Sequence, residues 1–307
     1  MAANAVPVEG RPVLGVLGGS WRATVSPGGS IVPLDGRVTL EWWIAAEDRW
    51  HDPESEPNVR QRSIEGAPVV ETRVRIPHGD AIQRVYAVAD GGGITVVEIE
   101  NDSPAAIAVA FSHGALLTAR PPAAVPIEGI SLPAGAVVFP VGHRATVRVG
   151  LAHRGGTGAL PEGLPGPLAV ARGWGQQVDH ASRLVLPDTA LVERVVGERC
   201  RVALTGPVDD ASDAAGALLG MAELTRLGDD PAVWVADAIT VAERLARSAR
   251  TCGLAWDGAM ALAATERLLA SAHETRAASD VATIRQRLGA DGAPPPLTPP
   301  DGVRVVA

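Results

Sequence analysis

The sequence predicts an α+β protein in two parts, an N-terminal antiparallel β-sandwich followed by a C-terminal domain of antiparallel α-hairpins. Three observations carry this reading. From Pro12 to about Gly150, short β-rich runs alternate with glycine and proline turns, and no stretch keeps a helical period for three turns. Residues 154–167 are dense in glycine and proline. Beyond Pro187-Asp188 the apolar residues recur at helical spacing as far as Gly289. At 307 residues the chain exceeds one ordinary core. We therefore expect a sandwich over residues 8–155, a linker over 156–186, a helical domain over 187–289 and a proline-rich tail over 290–307.

In the first half, strands are expected at Trp21–Ser26, Arg37–Ala45, Val69–Ile76, Ile82–Ala89, Ile94–Asn101, Ala106–Phe111, Val125–Leu132 and Ala145–Gly150. Two of them alternate clearly. Val70, Thr72, Val74 and Ile76 share one face while Glu71, Arg73 and Arg75 share the other; Thr95, Val97 and Ile99 oppose Val96, Glu98 and Glu100 in the same way. Between Ala89 and Ile94, Asp90-Gly91-Gly92-Gly93 supplies the positive-φ residues that a hairpin connection requires.

In the second half the punctuation is regular. Asp188 is read as the N-cap of a helix bearing Val192, Val195, Val196 and Val202. Asp209 or Asp210 opens the next helix, with Ala215, Leu218, Leu219 and Ala222 on one face, and Gly228 closes it. Asp230 caps a third helix with Pro231 at its first position, where proline lacks only an unused hydrogen. Trp256–Ala272 and Ala277–Leu288 follow, making five alanine-rich helices with short connections.

Composition excludes several functions. All 27 basic residues are arginine, so Schiff-base and P-loop lysine chemistry are absent. A net charge of −8 offers no general attraction for nucleic acid, and no apolar run reaches the ~18 residues of a membrane span. The opening residues lack a basic start and an apolar core, so a cytoplasmic protein is expected. Cys200 and Cys252 are read as small buried hydrophobes. No His-Glu-x-x-His, Cys-x-x-Cys, Gly-x-Ser-x-Gly or P-loop pattern occurs, and no metal or cofactor is expected. Asp209-Asp210-Ala211-Ser212-Asp213 spells a DDxxD pattern, which we read as helix capping.

The most unusual segment is Glu41–His51, where three tryptophans fall within nine residues. Indole faces stack on sugar rings while carboxylate, guanidinium and imidazole groups bond hydroxyls, so Trp42, Trp43, Glu47, Asp48, Trp50 and His51 form a candidate carbohydrate surface. Trp42 and Trp43 point to opposite faces of a strand, so at least one belongs to the core; Trp50 and His51 are the expected exposed members.

The phrase Gly173-Trp174, the run Arg183-Leu184-Val185-Leu186-Pro187-Asp188 and the helix Ala214–Leu224 resemble the hinge and first barrel helices of glucoamylase-like and glycogen-debranching-like glycoside hydrolases. Those enzymes join a supersandwich to an (α/α)6 toroid. The resemblance implies a partial α/α toroid here, since a complete one needs twelve helices. It also implies carboxylate acid/base chemistry, with the two groups about 6.5–9.5 Å apart for inversion. Half a rim does not readily supply both. The expected function is therefore a non-catalytic carbohydrate-related binding or accessory protein. The alternative is a glycoside hydrolase acting on α-glucans, with Asp257 as the candidate acid. A partial ring leaves terminal helices uncovered, so we expect self-association or a larger protein partner through the helical domain, or cover by the tail residues Val303, Val305 and Val306.

Overall fold

The computed structural model describes residues 11–123, 129–180, 183–185, 187–206, 213–252, 256–288 and 304–306. It divides into two compact units, Met1–Gly175 and Gln176–Ala307. The first is built from β1 (Val13–Gly15), β2 (Arg22–Val25), β3 (Ile31–Pro33), β4 (Trp42–Ala45), β5 (Trp50–His51), β6 (Arg60–Ser63) and β7 (Val69–Ile76). It continues with β8 (Gly79–Val88), β9 (Ile94–Asn101), β10 (Ile107–Phe111), β11 (Leu117–Thr118), β12 (Val137–Val141), β13 (Thr146–Ala152) and β14 (Gly158–Ala159).

These strands form three sheets, ordered β1-β2-β3, β12-β10-β4-β5 and β14-β11-β13-β9-β8-β7-β6. All pairs are antiparallel except β11 with β14. One apolar core joins the three: Val25 and Ile31 from the first sheet, Trp42, Phe111 and Phe139 from the second, Val74, Val97 and Val149 from the third. Phe111 and Phe139 meet edge to face at 6.1 Å. Because side chains alternate along a strand, the residues between these core positions face outward.

On the large sheet those outward residues carry charge in a pattern that follows the register. Arg62, Glu71, Arg84, Glu98 and Arg148 lie opposite one another across β6, β7, β8, β9 and β13, alternating in sign. Glu71 is only 3% exposed and receives Arg62, Arg73 and Arg84 at 2.9–3.0 Å. Burial works to raise its carboxyl, and the arginine hydrogen bonds outweigh this, holding it below the usual carboxylate range. Tyr86 donates to Glu98 at 2.7 Å, and burial together with that carboxylate raises its hydroxyl.

The segment read as a linker and transition contains a helix, α1 (Pro167–Asp179), followed by strand β15 (Arg183–Val185). Ala171 and Trp174 of α1 are buried. The remaining helices are α2 (Thr189–Thr205), α3 (Ala214–Arg226), α4 (Val235–Cys252), α5 (Trp256–Ser271) and α6 (Thr275–Arg287). Asp188 caps α2, accepting from Ala190 N and Leu191 N, and Asp230 caps the short 3-10 turn that leads into α4. The cap of α3 is Asp213, which accepts from Gly216 N at 2.7 Å; Asp209 and Asp210 lie outside the described residues. Gly228 adopts the expected positive φ, 108°. Leu218, Val241, Leu262, Leu269 and Val281 give α3 to α6 a common core, in which α5 packs against α3 and α6.

Of the predicted strand Val125–Leu132, residues 125–128 lie outside the described residues and residues 129–132 form no strand, a correction to the sequence reading; the next strand begins only at Val137. Val303 and most of the proline-rich tail also lie outside the described residues. The end of the tail, β16 (Arg304–Val306), pairs antiparallel with β15. Cys200 is buried, and desolvation pushes its thiol up to about 12; the side chain of Cys252 lies outside the described residues. Among the described residues no helix is long and apolar enough to cross a membrane.

Candidate functional site

The tryptophan-rich segment folds as β4, a four-residue loop and β5, at one edge of the four-stranded sheet. The loop closes with Ala46 N donating to Arg49 O at 3.0 Å. Register then assigns each aromatic to a face. Trp42 lies in the core, 2% exposed, its indole N–H donating to Gly28 O at 2.9 Å. Trp43 lies opposite Ala110, and Trp50 lies opposite Ala45. Both therefore occupy the outer face, as diagonal neighbours on adjacent strands, ~7–8 Å apart. Each is half-buried. Gly129, at a positive φ of 78°, comes close to Trp50, where a Cβ would stand 3.6 Å from Cδ1.

His51 faces the other way and is buried rather than exposed, a correction to the sequence reading. It is held by two carboxylates, with Nδ1 3.0 Å from Glu56 Oε1 and Nε2 3.0 Å from Asp48 Oδ1. Both ring nitrogens are thereby occupied by carboxylate partners. Asp52 creates the arrangement: its carbonyl accepts from Ser55 N and Glu56 N, which turns the chain back so that Glu56 reaches His51. Arg49 completes the set with a 2.6 Å ion pair to Glu56. That hydrogen bond, against the opposing effect of burial, holds the Glu56 carboxyl below its usual range. The hydrogen bond from His51 lowers Asp48 in the same sense.

This cluster lines a pocket of about 400 Å³ whose other side is Arg75, Ile76 and Pro77 from the end of β7, with Pro57 and Asn58 beside them. The groups presented to solvent are Asp48, Arg49, Asn58 and Arg75; His51 and Glu56 sit behind them and fix their positions. Of the predicted residues, the structure brings Asp48 and His51 together in this pocket and Trp43 and Trp50 together on the sheet's outer face. Glu47 is exposed on the loop. Sequence reasoning missed Glu56, Asn58 and Arg75. Only Arg75 gave a signal, as an outward residue of an alternating strand.

Asp257 is exposed in the first turn of α5, with its carboxylate accepting from Gly258 N at 2.8 Å. Among the described residues, no group of His, Cys, Asp and Glu is arranged to hold a metal ion. Comparison of the chain with protein families, curated proteins and solved structures finds no match.

Proposed function

We propose that the protein is a non-catalytic saccharide-binding or accessory protein, related in layout to glucoamylase-like glycoside hydrolases. The observation that carries this reading is the pairing of the half-buried Trp43 and Trp50 on the outer face of the four-stranded sheet, beside the Asp48–Arg49 loop, which on the other side of the same edge lines a polar pocket. Indoles supply apolar faces for sugar rings, and the fixed carboxylate and guanidinium supply hydroxyl partners. Asp48 and Glu56 are both held toward the ionised form, which suits hydrogen-bond acceptance rather than proton donation by a general acid.

The test is a glycan screen with the purified protein, combined with hydrolysis assays on α-glucans and aryl glycosides. Trp43→Ala and Trp50→Ala are expected to weaken binding about tenfold, ~1.4 kcal/mol, while circular dichroism stays unchanged. Failure of the wild type to retain any glycan overturns the reading. So does turnover that is lost in a folded Asp257→Asn variant.

We also propose self-association through the helical unit. Leu191 is 42% exposed, and Val192, Val195 and Val196 beside it on α2 are only partly buried, which a second copy would cover.

A further inference from the structure

We propose that the pocket and the arginine-rich edge beside it select a saccharide bearing carboxylates, with Arg75 setting that preference; this rests on the saccharide reading above. On the outer face of the large sheet, Arg60 of β6 stands directly opposite Arg73 of β7. Arg62 and Arg75 flank them on the same face. Arg60, Arg62 and Arg75 are 63%, 68% and 64% exposed. The ion pairs of these four arginines run to two carboxylates, Glu71 and Asp80, and Arg75 reaches Asp80 only at 3.4 Å. A chain of net charge −8 thus carries a locally positive edge.

Edge protection explains charged residues on β6, because charge blocks pairing with another chain. It does not explain why four guanidinium groups share only two carboxylates, with Arg60 held by Asp80 and Arg73 by Glu71 while like charges stand face to face. An anion lying along the row balances that excess. At the pocket, Arg75 stands with Arg49, and a guanidinium fork matches a planar carboxylate in bidentate fashion. Asn58 and Asp48 remain for neutral hydroxyls. Phosphate and sulfate esters share the negative charge. The ionised Asp48 beside the cations disfavours a doubly charged phosphate ester more than a single carboxylate; a sulfate ester is singly charged too, but its tetrahedral oxygens do not lie in the plane of the fork as a carboxylate's do. From Arg75 to the level of Arg62 is four residues of strand, ~13 Å, room for a few sugar units.

Calorimetric titration of the full chain tests this with a tri-galacturonate, its carboxyl-reduced neutral counterpart and a sulfated form of that neutral trisaccharide. The uronide is expected to bind about tenfold more tightly than the neutral sugar at low salt, with the gap closing as salt rises. Arg75→Gln is expected to remove most of the gap without moving the thermal midpoint. Equal binding of the uronide and the neutral sugar overturns the carboxylate preference and leaves the saccharide reading standing. No binding by any of the three overturns both. A sulfated sugar that binds as tightly as the uronide, or a gap that survives Arg75→Gln, also overturns the inference.

Discussion

His153 ties the small N-terminal sheet to the large one, and acidification should weaken the tie. Its ring stacks on Trp21 at 4.1 Å and 17°, and Nε2 lies 3.0 Å from Thr95 Oγ1. Arg37 donates to the carbonyls of Ala152 and His153 at 3.0 and 2.8 Å and stands 5.6 Å from the Trp21 ring. Gly93 is required beneath it: φ is 103°, and a Cβ there would come within 2.2 Å of Nδ1. Burial, then the positive charges of Arg37 and Arg22, push the imidazole down to about 4. The folded state therefore favours the neutral ring. The stabilisation is fully present above about pH 6.5, the unfolded value, and is lost as pH falls toward 4. At ~1.4 kcal/mol per pH unit, the interval from about 6.5 to about 4 sets a ceiling of ~3.5 kcal/mol. The ring keeps contact with solvent, so screening reduces this to ~1–2 kcal/mol. Urea unfolding between pH 7 and pH 4.5, followed by fluorescence and circular dichroism, should show the wild type losing about that much more stability than His153→Phe. The variant keeps the stack but cannot titrate, and other acidic groups change equally in both proteins. Parallel stability curves for the two proteins would refute the assignment.

Two other outcomes are expected. Glu71→Gln removes the charge shared by three arginines at a site 3% exposed and should cost ~2–3 kcal/mol in urea unfolding, less at high salt; a change below ~0.5 kcal/mol would show that the network contributes only packing. Light scattering should give a mass above that of one chain, with Leu191→Glu shifting it toward a monomer; a monomeric wild type would show that the helical unit needs no cover.

Much of this fold was legible because its signals are local. The alternation in Val69–Ile76 and Ile94–Asn101 marks two strands whose bounds the structure reproduces, since a period of two is enforced by one buried and one charged face. Asp188, Gly228 and Asp230 marked helix ends because capping uses the residue's own side chain or φ. Helix α1 was missed: Gly173 and Gly175 lower its intrinsic preference, and the burial of Ala171 and Trp174 compensates only in the folded chain. The candidate site was half legible. Alternation placed Trp42 and Trp43 on opposite faces but could not say which one faced the core. The Asp52 turn that carries Glu56 to His51, and the convergence of Arg75 on the same pocket, depend on tertiary geometry that spacing does not encode.

The alternating charges across the large sheet also act as a proofreader of strand alignment. A slip of β7 by one residue would turn Arg73 and Arg75 into the core, which the hydrophobic pattern alone forbids. A slip by two residues restores that pattern and escapes it. In one direction, however, it sets Arg73 between Arg62 and Arg84, three cations abreast; in the other it leaves both arginines facing Val69 with no carboxylate. The row of charges thus detects the error that apolar residues cannot see, and it leaves a long sheet with edge strands a single register in which to close.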